Sequence, residues 1–490
     1  MPELLLEYHP IYPATWAYVS SLLMIGLFFK FSRLWSLRNL DLLLLISFAP
    51  GLLMSQYVSG PNGTPTIDDL SVQHLGYLWL FAAGGMLLVR LLWDPTMVRR
   101  PLLEPNLSVG GMTFLGVSLF LFLMANVLTS KEDPVALAAA RGAEQFFLEP
   151  GDLELGNAND REIEEDRETE EEREAKKDRE AEKEREDRLA RYGPGYPILF
   201  QLQRIPAQTI AAMMRNGTPE GEQEKAQARR SVDQTTVRLT AIFSQLAIVL
   251  GIVMIGYRHF DNYKTGIAAA TLYLMLPYTA RMTGFVDHVL PAALLTWALV
   301  FYRRPLVAGT LIGLSIGAIY YPIFLLPLWI SFYWRRGLFR FLSGVLVAVG
   351  VLVIALALEW SDWPDFVDKL RWMFGWRLPW NVPTEGFWSK RFTTPEYRIP
   401  VLAAFIAMCG SFALWPAQKN LGTLLCCTAA VMLGSQFWHA HGGGLYMAWF
   451  LPIALLTIFR PNLEDRIALA VLPAGWTPDW IAKRSIARAA

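Results

Sequence analysis

Apolar blocks alternate with short polar segments through most of this 490-residue chain. Each block is close to the length of about 20 residues that a helix needs to cross a bilayer. Such blocks, with 53% hydrophobic residues and 18 Trp overall, exceed the needs of one soluble core. The pattern predicts an all-α polytopic membrane protein, a bundle of about 13 transmembrane helices with one long extracytoplasmic loop. The predicted spans are 12–30, 40–58, 74–93, 108–128, 237–256, 265–280, 286–302, 306–319, 321–334, 338–358, 399–416, 421–438 and 445–459.

Charged residues in the short loops predict the orientation of these spans. Lys30, Arg33 and Arg38 lie between the first two spans, whereas Asp68 and Asp69 lie between the second and the third. Because basic residues accumulate on the cytoplasmic side, the N-terminus is expected outside and the C-terminus in the cytoplasm. The expected location is a bacterial inner membrane.

The segment 305–334 tests this topology because an Arg pair bounds each of its ends. A single tilted helix would place the two pairs on opposite sides of the membrane. Proline removes a backbone donor and interrupts a helix, and Pro322 follows two tyrosines near the middle of the segment. We therefore predict a hairpin of two short helices with both Arg pairs on the cytoplasmic side.

The long outer loop, 129–236, contains a charged insertion at 157–191. Within it, 24 of the 28 residues of 161–188 are charged, so this arm cannot build a core of its own. An isolated helix and plain disorder both remain open, and the arm is a candidate docking site for a protein partner.

The predicted organisation has four regions: N-terminal helices at 1–107, a central block at 108–334, C-terminal helices at 335–460 and a cytoplasmic tail at 461–490.

A second outer loop, 359–398, is rich in tryptophan. Indole rings favour the headgroup level of a membrane, so this loop is expected to lie along the membrane surface. It either lines an entry for a lipid-linked ligand or forms a structural belt.

Composition excludes several functional classes. Cys409, Cys426 and Cys427 lie in apolar segments without the spacing of a zinc site or a disulfide framework. No Walker loop, GxSxG, HExxH or dinucleotide glycine motif stands in a suitable context, which argues against ATP-driven transport and the common soluble hydrolases. The formal net charge is zero because charges of both signs cluster in the loops, so net charge indicates nothing about partners. No nucleic-acid partner is expected.

Carboxylates just beyond the end of a span are candidates for acid, base or metal chemistry, because water there meets a low dielectric. Glu132 and Asp133 open the long outer loop in this way. An ordinary solvated loop is the alternative interpretation, and Asp68 and Asp69 with His74 form a second-ranked acidic site.

His439 and His441 stand at the outer end of a predicted span, before three glycines. The pair is a candidate for contact with a substrate or a metal. A glycine-rich turn with incidental histidines is the alternative.

The order of several segments in 108–334 carries a resemblance. A span is followed by Glu132-Asp133, a Gly-Pro-Gly-Tyr-Pro return at 193–197, a span opened by Arg238, the small residues 268–270, an outer Asp287 and a Gly-rich helix at 308–314. This block resembles GT-C-type glycosyltransferases, specifically bacterial relatives of the protein O-mannosyltransferases and of the lipid A aminoarabinose transferases.

The resemblance implies a membrane glycosyltransferase whose donor is a polyprenyl-phosphate sugar. Asp133, or its neighbour Glu132, would be the base that deprotonates the acceptor. Asp287 would be the second acidic group, which with Asp133 would hold a divalent cation, Mg or Mn, or orient the acceptor. The expected partners are membrane lipid and the lipid-linked donor. The expected substrate contacts are Arg281, His288, Tyr196, Tyr320, Tyr321, His439 and His441.

Two other functions remain alternatives to the enzyme. One is a transporter or flippase, and the other is a non-catalytic scaffold that works through the charged arm.

Overall fold

The computed structural model describes the hydrophobic part of the chain and parts of its loops. The described residues are 12–59, 66–97, 103–130, 136–137, 139–140, 192–193, 195–214, 221–334, 336–358, 363–375, 384–389, 392–417 and 419–461. The charged arm at 161–188 and the tail after residue 461 lie outside them.

The described residues form α-helices joined by short turns of 3₁₀-helix. The first half contains α1 (Pro13–Phe28), α2 (Leu37–Ser55), α3 (Ile67–Trp93), α4 (Val109–Thr129), α5 (Gly195–Met214), α6 (Glu222–Arg258), α7 (Tyr263–Met275) and α8 (Pro277–Met282). The second half contains α9 (Val286–Val300), α10 (Pro305–Ala318), α11 (Leu326–Tyr333), α12 (Leu338–Leu358), α13 (Trp363–Met373), α14 (Arg398–Leu414), α15 (Leu421–Gln436) and α16 (Leu451–Phe459). Short 3₁₀ turns include Tyr321–Leu325, Gly386–Trp388 and Met447–Trp449.

Every predicted span overlaps a helix, and the all-α class is confirmed within the described residues. In the part of the chain that the structure describes, five helices are long and apolar enough to cross a membrane, namely those over Leu37–Ser55, Asp68–Thr96, Val109–Thr129, Gln227–Arg258 and Leu338–Leu358. Other predicted spans are shorter apolar helices, so the number of crossings remains a prediction. A polytopic helical membrane protein fits this set of helices.

Two helices in the long outer loop differ from the sequence-based interpretation. The polar stretch 215–230 belongs to the predicted loop, yet from Glu222 onward it is part of α6, which continues into the predicted span 237–256. Glu, Gln, Lys, Ala and Arg dominate this stretch, and these are good helix formers that extend an existing helix without a new nucleus. Helix α5 was not predicted at all. It is amphipathic and packs along α6, where buried Arg204 lies 3.5 Å from Asp233.

The predicted break between 305 and 334 is confirmed. Helix α10 ends at Ala318, and Ile319 is extended before the 3₁₀ turn that leads into α11. At the opposite end, the Tyr333 hydroxyl donates to the carbonyl oxygen of Tyr302 at 2.5 Å. The two ends that carry the Arg pairs therefore meet, as the hairpin requires.

Glycines allow α10 and α12 to pack closely along one another. Gly309, Gly313 and Gly317 recur every four residues on α10, and Gly344 faces them from α12. A Cβ on Gly309 would overlap the carbonyl oxygen of Phe341, and one on Gly344 would overlap that of Leu306. Small residues at this spacing are typical of closely packed helices in membranes.

A buried charge network joins three parts of the chain at the end predicted to be cytoplasmic. Arg90 binds both oxygens of Asp41, with N–O distances of 2.7 and 3.0 Å, and binds Asp94 at 3.1 Å. Arg460 also binds Asp94, which ties the end of α16 to the end of α3. The two carboxylates and two guanidinium groups balance each other, so the network is a structural joint.

Candidate functional site

A cavity of about 930 Å³ lies at the end of the bundle opposite the charge network. Aromatic and polar side chains from turns and helix ends form its walls. The polar and aromatic lining residues are Gln56, Tyr77, Tyr192, Phe285, Asp287, His288, Tyr320, Tyr321, Phe324, Phe374, Glu385, Arg398, Trp438, His439, His441, Tyr446 and Trp449.

These residues come from separate regions of the sequence that share one predicted side. Residue 56 ends α2, residue 287 begins α9, residues 319–321 follow α10, residue 398 begins α14 and residues 438–446 follow α15. The charge pattern predicts that each of these points is extracytoplasmic. The convergence agrees with the predicted topology, because points on one side of a bilayer can meet at a single cavity.

Asp287 lies in the first turn of α9 at the cavity wall, where the helix dipole favours a negative charge. Its Oδ2 atom accepts a hydrogen bond from the Tyr192 hydroxyl at 3.1 Å. The indole of Trp449 donates to its backbone carbonyl at 3.0 Å, which holds the start of α9 against the turn before α16. Buried Oδ1 has no hydrogen-bond partner among the described residues. This carboxylate oxygen is therefore buried at the cavity wall without a hydrogen-bond partner in the described part of the chain.

His288 follows Asp287 and is fixed by two aromatic neighbours. The Tyr278 hydroxyl and His288 Nδ1 are 2.7 Å apart, and the imidazole stacks on the Tyr446 ring with centroids 4.4 Å apart. His288 Nε2 lies 3.9 Å from Asp287 Oδ2. The imidazole and the carboxylate therefore lie side by side at the cavity wall.

His439 and His441 lie on the same cavity wall in a glycine turn. The backbone N–H of His441 donates to His439 Nδ1 at 3.1 Å, so neutral His439 carries its proton on Nε2. Burial, with the nearby His441 and Arg398, lowers the pKa of His439 well below its ordinary value. Its ring stacks on Tyr321 at 4.6 Å. The turn is glycine-rich and both histidines line the cavity, so their contact with a substrate or metal stays a prediction.

Tyr320 and Tyr321, placed by the break after α10, both line the cavity. Burial raises the pKa of Tyr320 to about 12, so its hydroxyl stays protonated and can donate a hydrogen bond. Tyr196 is fully buried behind the wall and stacks on Tyr192 with centroids 4.5 Å apart. Arg281 is exposed and donates to Gln56 at 2.8 Å, so it lies behind a lining residue and is not itself part of the lining.

Arg398 is a cationic residue of the cavity that the sequence interpretation did not select. It is buried at the start of α14, donates to the carbonyl oxygen of Trp438 at 2.6 Å, and stands 5.9 Å from the centre of that indole ring. An Arg at the outer end of a span departs from the positive-inside rule. This departure is the feature of the sequence that could have identified Arg398 as a candidate site residue.

Tyr192 and Glu385 were also missed. Tyr192 directly precedes the glycine-rich return and reaches Asp287 because Gly193 docks on the end of α10, where its N–H donates to Ala318 at 2.9 Å. Glu385 sits at the mouth of the cavity in a short bridge with His441, and its N–H donates to Ala440 at 2.8 Å. No local pattern marked Glu385, because its position depends on contact with a turn far along the chain.

Glu132 and Asp133 lie outside the described residues, so their approach to Asp287 remains a prediction. Their preceding neighbour Ser130 ends α4 close to Gly284, since a Cβ on that glycine would be 3.9 Å from its Oγ. Farther along the loop, the carbonyl oxygen of Ala140 accepts a hydrogen bond from the Arg204 guanidinium group at 3.0 Å.

No group of three or more His, Cys, Asp or Glu side chains able to hold a metal occurs among the described residues. Asp287 contributes one carboxylate, whose buried Oδ1 has no hydrogen-bond partner among the described residues. A cation at this position would need further ligands from residues 132–133 or from a substrate phosphate.

The second-ranked acidic site at Asp68, Asp69 and His74 has a structural explanation. Asp69 accepts from the backbone N–H groups of Ser59 and Thr66, at 2.9 and 2.8 Å, in the capping box that begins α3. His74 stacks on Phe392 with ring centroids 5.1 Å apart. None of the three acidic-site residues lines the cavity.

Comparison of the chain with protein-family models, with curated proteins and with solved structures gives no match.

Proposed function

We propose that this protein is an integral membrane glycosyltransferase of GT-C type. It transfers a sugar from a polyprenyl phosphate to an extracytoplasmic acceptor, which is an envelope lipid, a glycan or a protein. The observation that carries the proposal is the large cavity at one end of an apolar helical bundle, lined by a buried carboxylate, Asp287, whose Oδ1 has no hydrogen-bond partner among the described residues. Such a cavity fits a substrate that has a polar head and a lipid tail.

The proposed reaction forms one bond and breaks another at the anomeric carbon. The acceptor oxygen bonds to this carbon while the bond from the carbon to the phosphate oxygen breaks, and the electron pair leaves with the phosphate. Asp133, or Glu132, takes the acceptor proton. Asp287 orients the acceptor or a cation, with its carboxylate held by Tyr192. A bound divalent cation, Mg or Mn, would supply positive charge to the departing phosphate.

Arg398 is the best-placed described residue to bind the donor phosphate. Its guanidinium group is buried beside Trp438 within the lining, whereas the expected phosphate ligand Arg281 lies outside it. A guanidinium group binds phosphate oxygens through several N–H groups at once. The stacked rings of Tyr321, His439 and Tyr446 form an apolar floor with polar edges, which suits a sugar ring.

The test replaces single carboxylates and measures sugar transfer with a radiolabelled polyprenyl-phosphate sugar in reconstituted vesicles. We expect Asp133→Asn and Asp287→Asn each to lower turnover at least about a hundredfold, since a positioned base alone contributes about that much. Glu396→Gln is the matched control, because Glu396 is an exposed acid at the start of α14 that does not line the cavity. Full turnover by Asp133→Asn at equal protein level would refute the role of Asp133 as the base.

A flippase or transporter is the second candidate, and one observation favours it. The helical path breaks at Ile319 to Tyr321 directly beside the cavity, and discontinuous helices often line the binding sites of transporters. A flippase would move a fluorescent polyprenyl-phosphate sugar across the vesicle membrane without cleaving it. An enzyme would release polyprenyl phosphate.

A further inference from the structure

A short turn joins α1 to α2 and presents apolar and basic side chains side by side. Phe31, Leu34 and Trp35 are 68%, 56% and 87% exposed, although all three are large apolar residues. Lys30 and Arg33 are also exposed, and neither forms an ion pair within the part of the chain that the structure describes. No acidic residue occurs in 30–35, the segment that we call the basic turn.

Buried Asn39 holds the backbone of the basic turn in one conformation. Its side-chain oxygen accepts from the backbone N–H of Lys30 at 3.0 Å. Its amide nitrogen donates to the carbonyl oxygens of Lys30 and Arg33, both at 3.0 Å, and to that of Leu34 at 3.3 Å. Ser36 caps the first turn of α2 by accepting from the Asn39 N–H at 3.3 Å. The apolar side chains are therefore exposed on a fixed backbone.

A second set of hydrogen bonds fixes the end of α1 next to the basic turn. Arg38 donates to the carbonyl oxygen of Phe28 at 3.1 and 2.8 Å, and it also donates to that of Glu104. The Asn106 N–H donates to the carbonyl oxygen of Leu27 at 2.7 Å. The segment before α4 thus braces the turn, while the Glu104 carboxylate interacts with Arg38.

The basic turn lies at the end of the bundle that holds the charge network. Asp41, which binds Arg90 in that network, is one helical turn beyond Leu37 at the start of α2. The ends of transmembrane helices lie at the level of the lipid headgroups, where indole rings and basic side chains are both favoured. Water would be a poor environment for this turn, because contiguous exposed apolar side chains are costly to hydrate.

We propose that the basic turn binds the headgroup of an anionic phospholipid. Lys30 and Arg33 contact the phosphate, and Phe31, Leu34 and Trp35 insert among the first carbons of the acyl chains. The lipid is anionic because the turn carries two positive charges and no negative one. Each basic residue near an anionic surface favours binding by about fivefold. The proposal depends on the helices crossing a membrane and is independent of sugar transfer.

The experiment uses photoreactive lipids with the full-length protein in phosphatidylcholine nanodiscs. One probe is phosphatidylglycerol and the other is phosphatidylcholine, each a minor component with a diazirine close to the glycerol. Labelled peptides are identified by mass spectrometry. We expect the phosphatidylglycerol probe to label residues 30–35 at least about fivefold more than the phosphatidylcholine probe. Both probes should label the exposed face of α12 around Leu346 alike, since Leu346 is 70% exposed and apolar.

A double variant removes the positive charge and keeps the apolar residues. Lys30→Gln combined with Arg33→Gln should abolish the preference for phosphatidylglycerol at the basic turn. The matched control combines Arg258→Gln with Lys264→Gln, two exposed basic residues at the end of α6 and the start of α7. The control should keep the preference at residues 30–35. Thermal denaturation verifies that both proteins are folded.

Three outcomes would overturn the proposal. Equal labelling of the turn by the two probes would show that its charge selects no lipid. Equal loss of the preference in the two double variants would assign it to the overall charge of this end of the protein. Labelling of α12 with none at residues 30–35 would place the turn in water, where a soluble partner and not a lipid would cover it.

Discussion

The carboxyl group of Asp287 has two different environments within one buried side chain. Oδ2 accepts the Tyr192 hydroxyl, while Oδ1 has no partner in the described part of the chain. A buried polar atom without a partner costs stability, commonly about 1–3 kcal/mol. An oxygen left in this state beside a cavity has a physical explanation if a substrate or cation completes its bonding.

Removal of the Tyr192 hydroxyl tests whether this orientation matters. We expect Tyr192→Phe to lower sugar transfer about tenfold or more, since a hydrogen bond to a charged group contributes about 1.5–3 kcal/mol. Turnover is measured with the lipid-linked donor at saturation. Tyr257→Phe is the control, because Tyr257 is exposed near the opposite end of the bundle. Wild-type turnover in Tyr192→Phe would show that its hydroxyl does not position the reacting groups.

The lowered pKa of His439 predicts a pH dependence of stability. The folded protein keeps this imidazole neutral, whereas an unfolded chain protonates it below about pH 6.5. Protons then favour the unfolded state, so stability falls as pH drops below about 6.5, by up to about 1.4 kcal/mol per pH unit. Thermal denaturation in nanodiscs between pH 7 and pH 5 measures this loss.

The His439→Gln variant isolates the contribution of His439 to that slope. Its denaturation midpoint should fall less between pH 7 and pH 5 than that of the wild type. His259 contributes a slope of the same sign, because burial lowers its pKa to about 4, and it is present in both proteins. Identical slopes in the two proteins would contradict a neutral His439.

At the scale of helices, contact between small residues positions the site. Gly309 and Gly344 bring α10 and α12 together, and Gly193 docks the return segment on the end of α10. These contacts place Tyr192 and Tyr320 at the same cavity. Van der Waals packing drives helix association in membranes, so shape decides which helices pair.

The glycine contact predicts a specific pattern of destabilisation. Gly309→Val should lower the free energy of unfolding by about 1–3 kcal/mol, because its side chain would overlap the backbone of Phe341. Gly350→Val on α12 is the matched control, since no atom lies within 4 Å of a Cβ built there. Denaturation midpoints in the same detergent compare the two variants. Equal midpoints would mean that α10 and α12 do not pack through Gly309.

At the scale of the whole molecule, polar groups separate to the two ends of an apolar bundle. One end holds the cavity with Asp287 and Arg398, and the other holds the network of Asp41, Arg90 and Asp94. The network pairs its charges with each other, whereas at the cavity the Asp287 Oδ1 atom has no hydrogen-bond partner among the described residues. This contrast distinguishes a structural joint from a candidate site.

Removal of Arg90 tests the structural interpretation of the network. Arg90→Met leaves two buried carboxylates near a single guanidinium group, and such a loss costs about 3–5 kcal/mol. Arg258→Met, at an exposed position near the same end, should leave stability almost unchanged. The free energy of unfolding is measured by denaturant titration. If Arg90→Met lowers the free energy of unfolding no more than Arg258→Met does, the network does not stabilise the fold.

Deletion of the charged arm separates the enzyme from a scaffold. Residues 161–188 cannot form a core from their composition, and they lie outside the described residues. We expect the deletion to leave sugar transfer within about twofold of wild type, because the candidate residues lie elsewhere. Loss of transfer at equal protein level would assign the arm a necessary role.

The helices themselves were predictable from the sequence, because in lipid each helix satisfies its own backbone hydrogen bonds with nearby residues. The break at Tyr320 followed from a proline, which also acts locally, whereas the sidedness of the loops stays a prediction from the basic residues. Asp287, His288, Tyr320, Tyr321, His439 and His441 were selected as site residues, and the structure brings all six to one cavity.

Only the tertiary structure brought Tyr192, Glu385 and Arg398 to Asp287. Their meeting depends on packing between helices that are far apart in the sequence, and packing depends on the shapes of both partners at once. Hydrophobic periodicity indicates which face of a helix is buried and which is exposed. It does not indicate which other helix packs against the buried face. The sequence alone therefore determined the helices, and tertiary contacts decided which polar groups share the cavity.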